Sequence, residues 1–146
     1  MKIFIDADGC PVVEDTISIA KKYNLEVIIV KNYAHHIESD YATIITVDIS
    51  RDSADFYIVN HSQNGDIIVT QDYGLAAMGL AKNSNIITQN GLIITNENID
   101  KFLNQRHLNQ EMRRKHKIYT HIKKRKTSNT ETFKENIIQL IEKALA

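Results

Sequence analysis

Carboxylates follow several of the apolar stretches that the sequence predicts to be strands. Asp6 and Asp8 come directly after the run KIFI at residues 2–5, and Asp72 comes shortly after IIVT at residues 67–70. The stretch between them adds further acids, so the candidates are Asp6, Asp8, Asp48, Asp52, Asp55 and Asp72. If the first, third and fourth strands are neighbours, Asp6, Asp55 and Asp72 meet at one edge of the sheet.

Three or more carboxylates crowded together repel one another, so some of them cannot stay ionised without a counter-charge. A hard divalent cation supplies that charge, because Mg²⁺ and Mn²⁺ prefer carboxylate and water oxygens as ligands. Such a site activates water and stabilises an in-line displacement at a phosphodiester. The cluster of acids therefore favours a metal site.

Each acid also has a simpler explanation. An Asp between a strand and a helix commonly caps the helix N-terminus, and this explains Asp8, Asp52 and Asp72 when each is taken singly. Capping explains Asp6 less well, because Asp6 is the end of an apolar strand and does not occupy the expected N-cap position next to Pro11. Asp55 lies past the first helical residues if Asp52 is the cap.

Hydrophobic periodicity places the elements that must position these acids. Short apolar runs alternate with stretches of helical period, which predicts an α/β fold: a three-layer α/β/α sandwich with a mainly parallel central sheet. The predicted strands are 2–6, 25–30, 44–48, 67–70 and 85–89, with another apolar run at 92–95. The predicted helices begin near Pro11, Arg51, Tyr73 and Glu97, and a last one spans Thr132–Leu145. His116–Asn129 is predicted to be a loop or arm.

Length and composition bound the class of protein. The 146 residues suffice for one domain with a sizeable core, and 42% hydrophobic and 25% charged residues exclude disordered and fibrous classes. No apolar run approaches the roughly 18 residues of a membrane span, and no signal peptide is recognisable. Cys10 is the only cysteine, so there is no internal disulfide, and the histidines show no zinc spacing. We therefore expect a soluble cytoplasmic protein with a single domain over residues 1–146.

Charge is distributed unevenly along the chain. Residues 1–100 hold 6 Lys and Arg against 14 Asp and Glu, a balance of −8, whereas residues 101–146 hold 12 against 4, a balance of +8. A basic section from about residue 101 suggests binding to an anionic partner, with nucleic acid as the usual candidate. The alternative is that this section folds over the acidic body and partly neutralises it.

Three motifs in order, DADGCPV, DSADFYIV and GDIIVTQDYGLAA, resemble the YaiI/YqxD family of uncharacterised bacterial proteins. The resemblance runs from Lys2 to about Arg106. That family is similar to the PIN-like nuclease superfamily, whose members fold as α/β/α sandwiches and hold Mg²⁺ or Mn²⁺ with a few acids to cut RNA. The resemblance therefore implies a metal-dependent nuclease whose nucleic-acid substrate is RNA.

The resemblance also assigns residues. Asp6, Asp55 and Asp72 match the catalytic, metal-binding acids, and Asp8 and Asp52 match the family's own motifs as accessory metal ligands. Residues of the family pattern or of the basic segment Lys101–Lys126 are expected to bind the substrate, namely Asn32, Arg106, Arg113 and Arg114. The sequence departs from the pattern of many PIN-like nucleases in one respect. The stretch DYGLAAMGLAKN contains no acid after Asp72, which argues against a two-metal site.

Two other interpretations stay open. IFIDADGCPV is similar to the opening motif of haloacid dehalogenase-type phosphatases, in which Asp6 would be the nucleophile and Asp8 the general acid and base. The match stops there, since no Ser or Thr directly follows the second strand. The third interpretation is a PIN-like module that binds RNA without catalysis.

Overall fold

A computed structural model of the chain describes residues 1–50, 52–116 and 125–146, without the side chains of residues 106, 107, 109, 110 and 112–116. In chain order, its strands are β1 (Lys2–Asp6), β2 (Glu26–Asn32), β3 (Thr43–Val47), β4 (Ile67–Val69), β5 (Asn85–Ile87) and β6 (Ile93–Ile94). Its helices are α1 (Val13–Lys22), α2 (Ser53–His61), α3 (Tyr73–Ala81), α4 (Ile99–His116) and α5 (Thr127–Leu145).

The strands form one sheet in the order β3-β2-β1-β4-β5-β6. The pairs from β3 through β5 are parallel, and only the short β6 runs antiparallel to its neighbour β5. The chain moves outward from β1 to β3 and then returns to the other side of β1 as β4. A crevice forms at such a reversal outside the carboxyl ends of the strands, and in doubly wound sheets ligands bind there.

Strand β1 is the centre of the core. Its residues Ile3, Phe4 and Ile5 are fully buried, as the continuous apolar run predicts for a strand covered on both faces. Because side chains alternate along a strand, Ile3 and Ile5 point to one face of the sheet and Phe4 to the other. Asp6 lies two residues beyond Phe4 and therefore belongs to the Phe4 face.

Helices cover both faces, as predicted. The Ile3 face is packed by α1 and α5 through Val13, Ile17, Ile19, Ala20, Phe133, Ile137 and Ile141. The Phe4 face is packed by α2, α3 and the start of α4 through Ile58, Leu75, Ala76 and Ile99. Among the described ranges, no helix has the length and apolar character that crossing a bilayer requires.

The C-terminal section is part of this core. Helix α4 includes His116 and helix α5 begins at Thr127, so the predicted loop was wrong for residues 116 and 127–129, and residues 117–124 lie outside the described part. Phe133 is fully buried, and the Asn136 side chain donates a hydrogen bond of 2.6 Å to the Gly91 carbonyl. Packing on the acidic body is therefore confirmed for α5. Among the described residues, a single ion pair joins α5 to α1, between Lys134 and Asp15 at 3.5 Å.

One strand arrangement that was considered is not found, and the first helix begins after Pro11. Strand β3 lies at the edge of the sheet and is separated from β1 by β2, so the first and third strands are not neighbours. Pro11 precedes α1 instead of occupying its first turn, because the helix begins at Val13 with Val12 in the N-cap position. The acids between β3 and the first turn of α2 are therefore not brought close to Asp6 by a direct pairing of β3 with β1.

Candidate active site at the carboxyl edge of the sheet

A cleft of about 840 Å³ opens at the carboxyl ends of the strands, and residues at the ends of β1 to β4 or just after them line it. Asp6, Asp8, Asp48, Asp55 and Asp72 line it. The cleft lies on the Phe4 face, beside α2, α3 and α4, and coincides with the crevice that the strand order creates. The structure thus places five of the six candidate acids around one opening.

Asp6 is held at the end of β1 by a buried hydroxyl. Thr70, which follows β4, donates a hydrogen bond of 3.0 Å from Oγ1 to Asp6 Oδ2. Burial, with smaller contributions from the charges of Asp72 and Asp8, raises the pKa of Asp6 to about 6, against the lowering effect of the Thr70 hydrogen bond. About a tenth of Asp6 therefore stays protonated at pH 7 in the absence of a cation, far more than for an ordinary Asp.

Asp72 caps helix α3. Its Oδ1 accepts hydrogen bonds from the backbone N–H groups of Gly74 at 2.8 Å and Leu75 at 3.2 Å. Its own N–H donates to Thr70 Oγ1 at 3.0 Å, so the same hydroxyl positions Asp6 and Asp72. The simpler explanation of Asp72 is therefore confirmed, yet the capping geometry also fixes this carboxylate beside the other acids.

Asp55 reaches the cluster from α2. It lies one turn before the fully buried Ile58 on the same face of the helix, and only 9% of its surface is exposed. Burial raises its pKa to about 7, with further contributions from the charges of Asp72, Asp6 and Asp52 and from a hydrogen bond to Asp72. Asp55 is therefore close to β1 because it lies on helix α2, and not because β3 is a neighbour of β1.

Two acids of the cluster have no cationic side-chain partner among the described residues. None of the ion pairs among the described residues involves Asp6 or Asp55. In that same part of the chain, no group of three or more His, Cys, Asp and Glu side chains is already placed to hold a metal ion. The donor chemistry still fits Mg²⁺ or Mn²⁺, since Mg²⁺ usually keeps several waters and is bound by one or two carboxylates.

Two predicted accessory ligands have other partners or positions. The Asp8 carboxylate contacts the His35 imidazole, and Asp8 does not cap α1, whose N-cap residue is Val12 and has no side-chain capping bond. Asp52 occupies the N-cap position of α2 but likewise makes no side-chain capping bond. It acts on the site through its charge on Asp55.

Of the four predicted substrate-binding residues, the structure places Asn32 at the cleft. Asn32 lines it, and its Oδ1 accepts a hydrogen bond of 2.8 Å from the N–H of Ala34, which shapes the turn after β2. Helix α4 borders the cleft through Phe102 and Gln105. Arg106, Arg113 and Arg114 belong to the same helix, and their side chains lie outside the described part of the structure.

Sequence reasoning missed Thr70 and an aromatic pair in the wall of the cleft. Tyr73 and Phe102 stack with ring centroids 5.4 Å apart and join α3 to α4. Thr70 ends the apolar run IIVT two residues before Asp72, which is the signal that could have singled it out. The contact between Tyr73 and Phe102 has no local signal, because these residues lie in different helices.

Strand order, cleft and acids together define an α/β protein with a carboxylate cluster at the switch point of a mostly parallel sheet. A family model described as "Uncharacterized BCR, YaiI/YqxD family" matches residues 4–143, and the chain belongs to this family, as its motifs predicted.

Curated relatives agree with this membership. The UPF0178 protein of Alkaliphilus oremlandii is 53% identical over 142 residues, which cover 97% of this chain and 92% of that protein. The UPF0178 protein of Exiguobacterium sibiricum is 47% identical over 141 residues, covering 97% of this chain and 96% of that protein. No solved structure matches the chain.

Proposed function

We propose that this protein is a PIN-like nuclease that uses Mg²⁺ or Mn²⁺ to hydrolyse phosphodiester bonds, with RNA as its substrate. The observation that carries the proposal is the meeting of Asp6, Asp55 and Asp72 in one cleft, with the pKa values of Asp6 and Asp55 raised to about 6 and about 7. Such a cluster binds either protons or a cation, and its place at the carboxyl edge of the sheet suits catalysis.

The metal would be held by Asp6, Asp55 and Asp72. When bound, a divalent ion lowers the pKa of water and stabilises the charge that develops on the phosphate. The protein's own groups prepare the site: Asp6 and Asp55 give up their protons, and Thr70 keeps Asp6 oriented. The α3 cap keeps the Asp72 carboxylate in place.

The direct test is cleavage of a labelled single-stranded RNA with Mn²⁺ and with EDTA, by the wild type and by Asp6→Asn and Asp72→Asn. We expect cleavage only with Mn²⁺ and a loss of at least about 100-fold in both variants, the order of magnitude for removal of a group that stabilises the transition state. Asp40→Asn is the matched control, because Asp40 is an exposed carboxylate between β2 and β3. Equal cleavage by Asp6→Asn and Asp40→Asn would contradict the proposal.

A non-catalytic RNA-binding module is the second candidate, and the absence of a ready-made group of three ligands among the described residues favours it. It predicts RNA retention on a gel that weakens as salt rises, with no cleavage under any metal condition. Turnover of a small phosphate monoester through a phosphoryl-enzyme at Asp6 would instead support the phosphatase interpretation.

A further inference from the structure

The two edges of the sheet differ in length and exposure. One edge is β6, which has two residues, whereas the other edge is β3, which has five. Thr43 and Thr46 of β3 are exposed and its other residues are half-buried, in contrast to the buried residues 27–31 of β2. Among the described residues, no hydrogen bond outside the pairing with β2 reaches the backbone of β3. One side of β3 is therefore open to another chain.

The β3 edge lacks the features that keep natural strand edges from pairing. Such edges are usually short, carry Lys or Pro, contain a bulge, or are covered by a helix or loop. The sequence of β3 is TIITV, five β-branched residues without charge, Pro or Gly, and its register with β2 is unbroken over all five positions. The β6 edge is protected by its shortness. A further strand can therefore add at β3.

A second copy of β3 fits this edge. When two copies run antiparallel about a two-fold axis at Ile45, Ile45 faces its own copy, Ile44 faces Thr46, and Thr43 faces Val47. Each pair then consists of two β-branched side chains, which pack well across antiparallel strands. No charged residue lies within the five paired positions.

The charges beside the strand favour this register. Asp40 precedes β3 and Asp48 follows it. An axis at Ile44 would leave only three positions of β3 paired with β3, and it would set Asp40 directly opposite Asp48 of the partner subunit, where like charges repel. With the axis at Ile45, Asp48 lies opposite the partner's Ala42 instead.

We propose that two copies of this chain pair through β3 into a symmetric dimer with one continuous sheet. The same edge is used by both copies, so the assembly closes at two. Pairing of β3 with β6 would not close in this way, and β6 offers only two residues. Asp48 and Ile49 line the cleft and directly follow β3, so the partner's segment before β3 would lie beside the cleft. The proposal does not depend on the proposed function.

The dimer should be weak and reversible. A standard interface has about 20 to 30 residues on each side, and the β3 edge offers far fewer, so we expect a dissociation constant in the micromolar range. Asp40 of one copy and Asp48 of the other come near each other at the ends of the paired strands. Because salt screens such repulsion, a rise in ionic strength should tighten the dimer.

The first test is sedimentation velocity of the full chain over roughly 1 to 500 μM, a range that brackets micromolar dissociation constants. Thr46→Lys introduces the charge that natural edges use against pairing, and it should raise the dissociation constant at least about tenfold. Thr46→Val is the matched control and should dimerise as the wild type does, since it stays β-branched. Thr46 is exposed, so both variants should unfold at the temperature of the wild type.

The second test is cross-linking by mild oxidation, in a Cys10→Ser background that removes the native thiol. Opposite residues of an antiparallel pair have Cα atoms about 4.5 to 5.5 Å apart, within the range of a disulfide. Ile45→Cys should therefore give a covalent dimer. Thr43→Cys is the matched control: it is more exposed, yet its two copies would lie about 13 Å apart, four residues out of register, and should not cross-link.

The outcomes are separable. A dimer that is lost in Thr46→Lys, is tightened by salt and cross-links at residue 45 supports the proposal. A monomer at every concentration overturns it and leaves the edge to an extended segment of another protein. A dimer that ignores Thr46→Lys, cross-links equally at residue 43, or weakens as salt rises also overturns it, because contacts between the acidic body and the basic C-terminal section would then hold the copies together. None of these results bears on cleavage at Asp6.

Discussion

At the scale of single residues, one hydroxyl group, that of Thr70, links two acids of the cluster, Asp6 and Asp72. Thr70 Oγ1 donates to Asp6 and accepts from the backbone N–H of Asp72, each at 3.0 Å, and Thr70 is 2% exposed. A hydrogen bond to the ionised form of a carboxyl lowers its pKa, so Thr70 opposes the effect of burial on Asp6. Thr70 thereby sets both the orientation of Asp6 and the pH at which it ionises.

Replacing Thr70 by Val keeps the shape of the side chain and removes the hydroxyl. We expect the pKa of Asp6 to rise above about 6, because the hydrogen bond that lowers it is lost while burial remains. The acidic limb of the pH–rate profile for Mn²⁺-dependent cleavage should move to higher pH, and Thr70→Ser should restore it. A lower rate with an unmoved profile would contradict the effect of Thr70 on the pKa of Asp6 and leave only its orienting role.

The main acids of the site were predictable, whereas their coupling was not. Asp6 and Asp72 are readable because an acid after an apolar strand marks the carboxyl edge of a sheet. Asp55 was predictable as an acid beyond the cap position of its helix, although the strand neighbourhood on which its approach to Asp6 was made conditional is not found. Thr70 and Asp6 are 64 residues apart, and no local pattern reports a contact at that separation.

At the scale of elements, α5 depends on a close approach to the turn before β6. Gly91 has a φ of +89°, and a Cβ placed there would lie 2.8 Å from the backbone N of Phe133 and 2.8 Å from the carbonyl carbon of Thr132. Arg125, just before α5, donates to the Gln89 carbonyl at 2.8 Å and to Asn90 Oδ1 at 2.7 Å. The turn and the helix are therefore fitted together through backbone atoms.

Gly91→Ala should lower the free energy of unfolding by about 2 to 4 kcal/mol, since it adds a clash with the backbone of α5 to the strain of a positive φ. Gly65→Ala is the matched control, because Gly65 has the same φ of +89° with no atom within 4 Å of the added Cβ. It should cost only the strain, about 1 kcal/mol. Urea unfolding of the two variants measures the difference, and equal losses would contradict the proposed packing of α5.

Element types were predicted well, and their arrangement less well. The bounds of β1 were predicted as observed, and those of α3 within one residue, because both elements have clear apolar patterns and polar ends. The start of α5 was missed by five residues, since Thr127–Glu131 carries no apolar residue that could show a helical period. Strand order was missed because periodicity records which face is buried and not which strand is adjacent.

At the scale of the whole molecule, the acid cluster makes the stability of the protein depend on pH. Asp6 and Asp55 have pKa values of about 6 and about 7 in the folded protein, above the ordinary value of 3.8. The folded protein therefore binds more protons than the unfolded chain between these values. The stabilisation from these groups is fully present below about pH 4 and is lost as the pH rises through 6 and 7.

Asp55→Asn should accordingly stabilise the metal-free protein at pH 8 by roughly 1 to 3 kcal/mol, because the amide resembles the protonated acid. The difference from the wild type should vanish near pH 4. Thermal unfolding in EDTA at the two pH values measures it, and the exposed Asp40→Asn serves as the control. Mn²⁺ should stabilise the wild type at pH 8 and the variant less, since the ion replaces the protons. Identical pH dependence in both proteins would contradict the assigned pKa of Asp55.

The central position of β1 has a consequence for the order of assembly. This strand is synthesised before the other five strands of the sheet, yet one of its two neighbours, β4, begins 65 residues after it, and α5, which helps to cover its Ile3 face, follows all six strands. Pairings between such distant segments form slowly, because a long loop must close before they are made. During synthesis, the acids of the cleft should therefore meet only after β4 and α3 have emerged, so that a nascent chain lacks the assembled cleft.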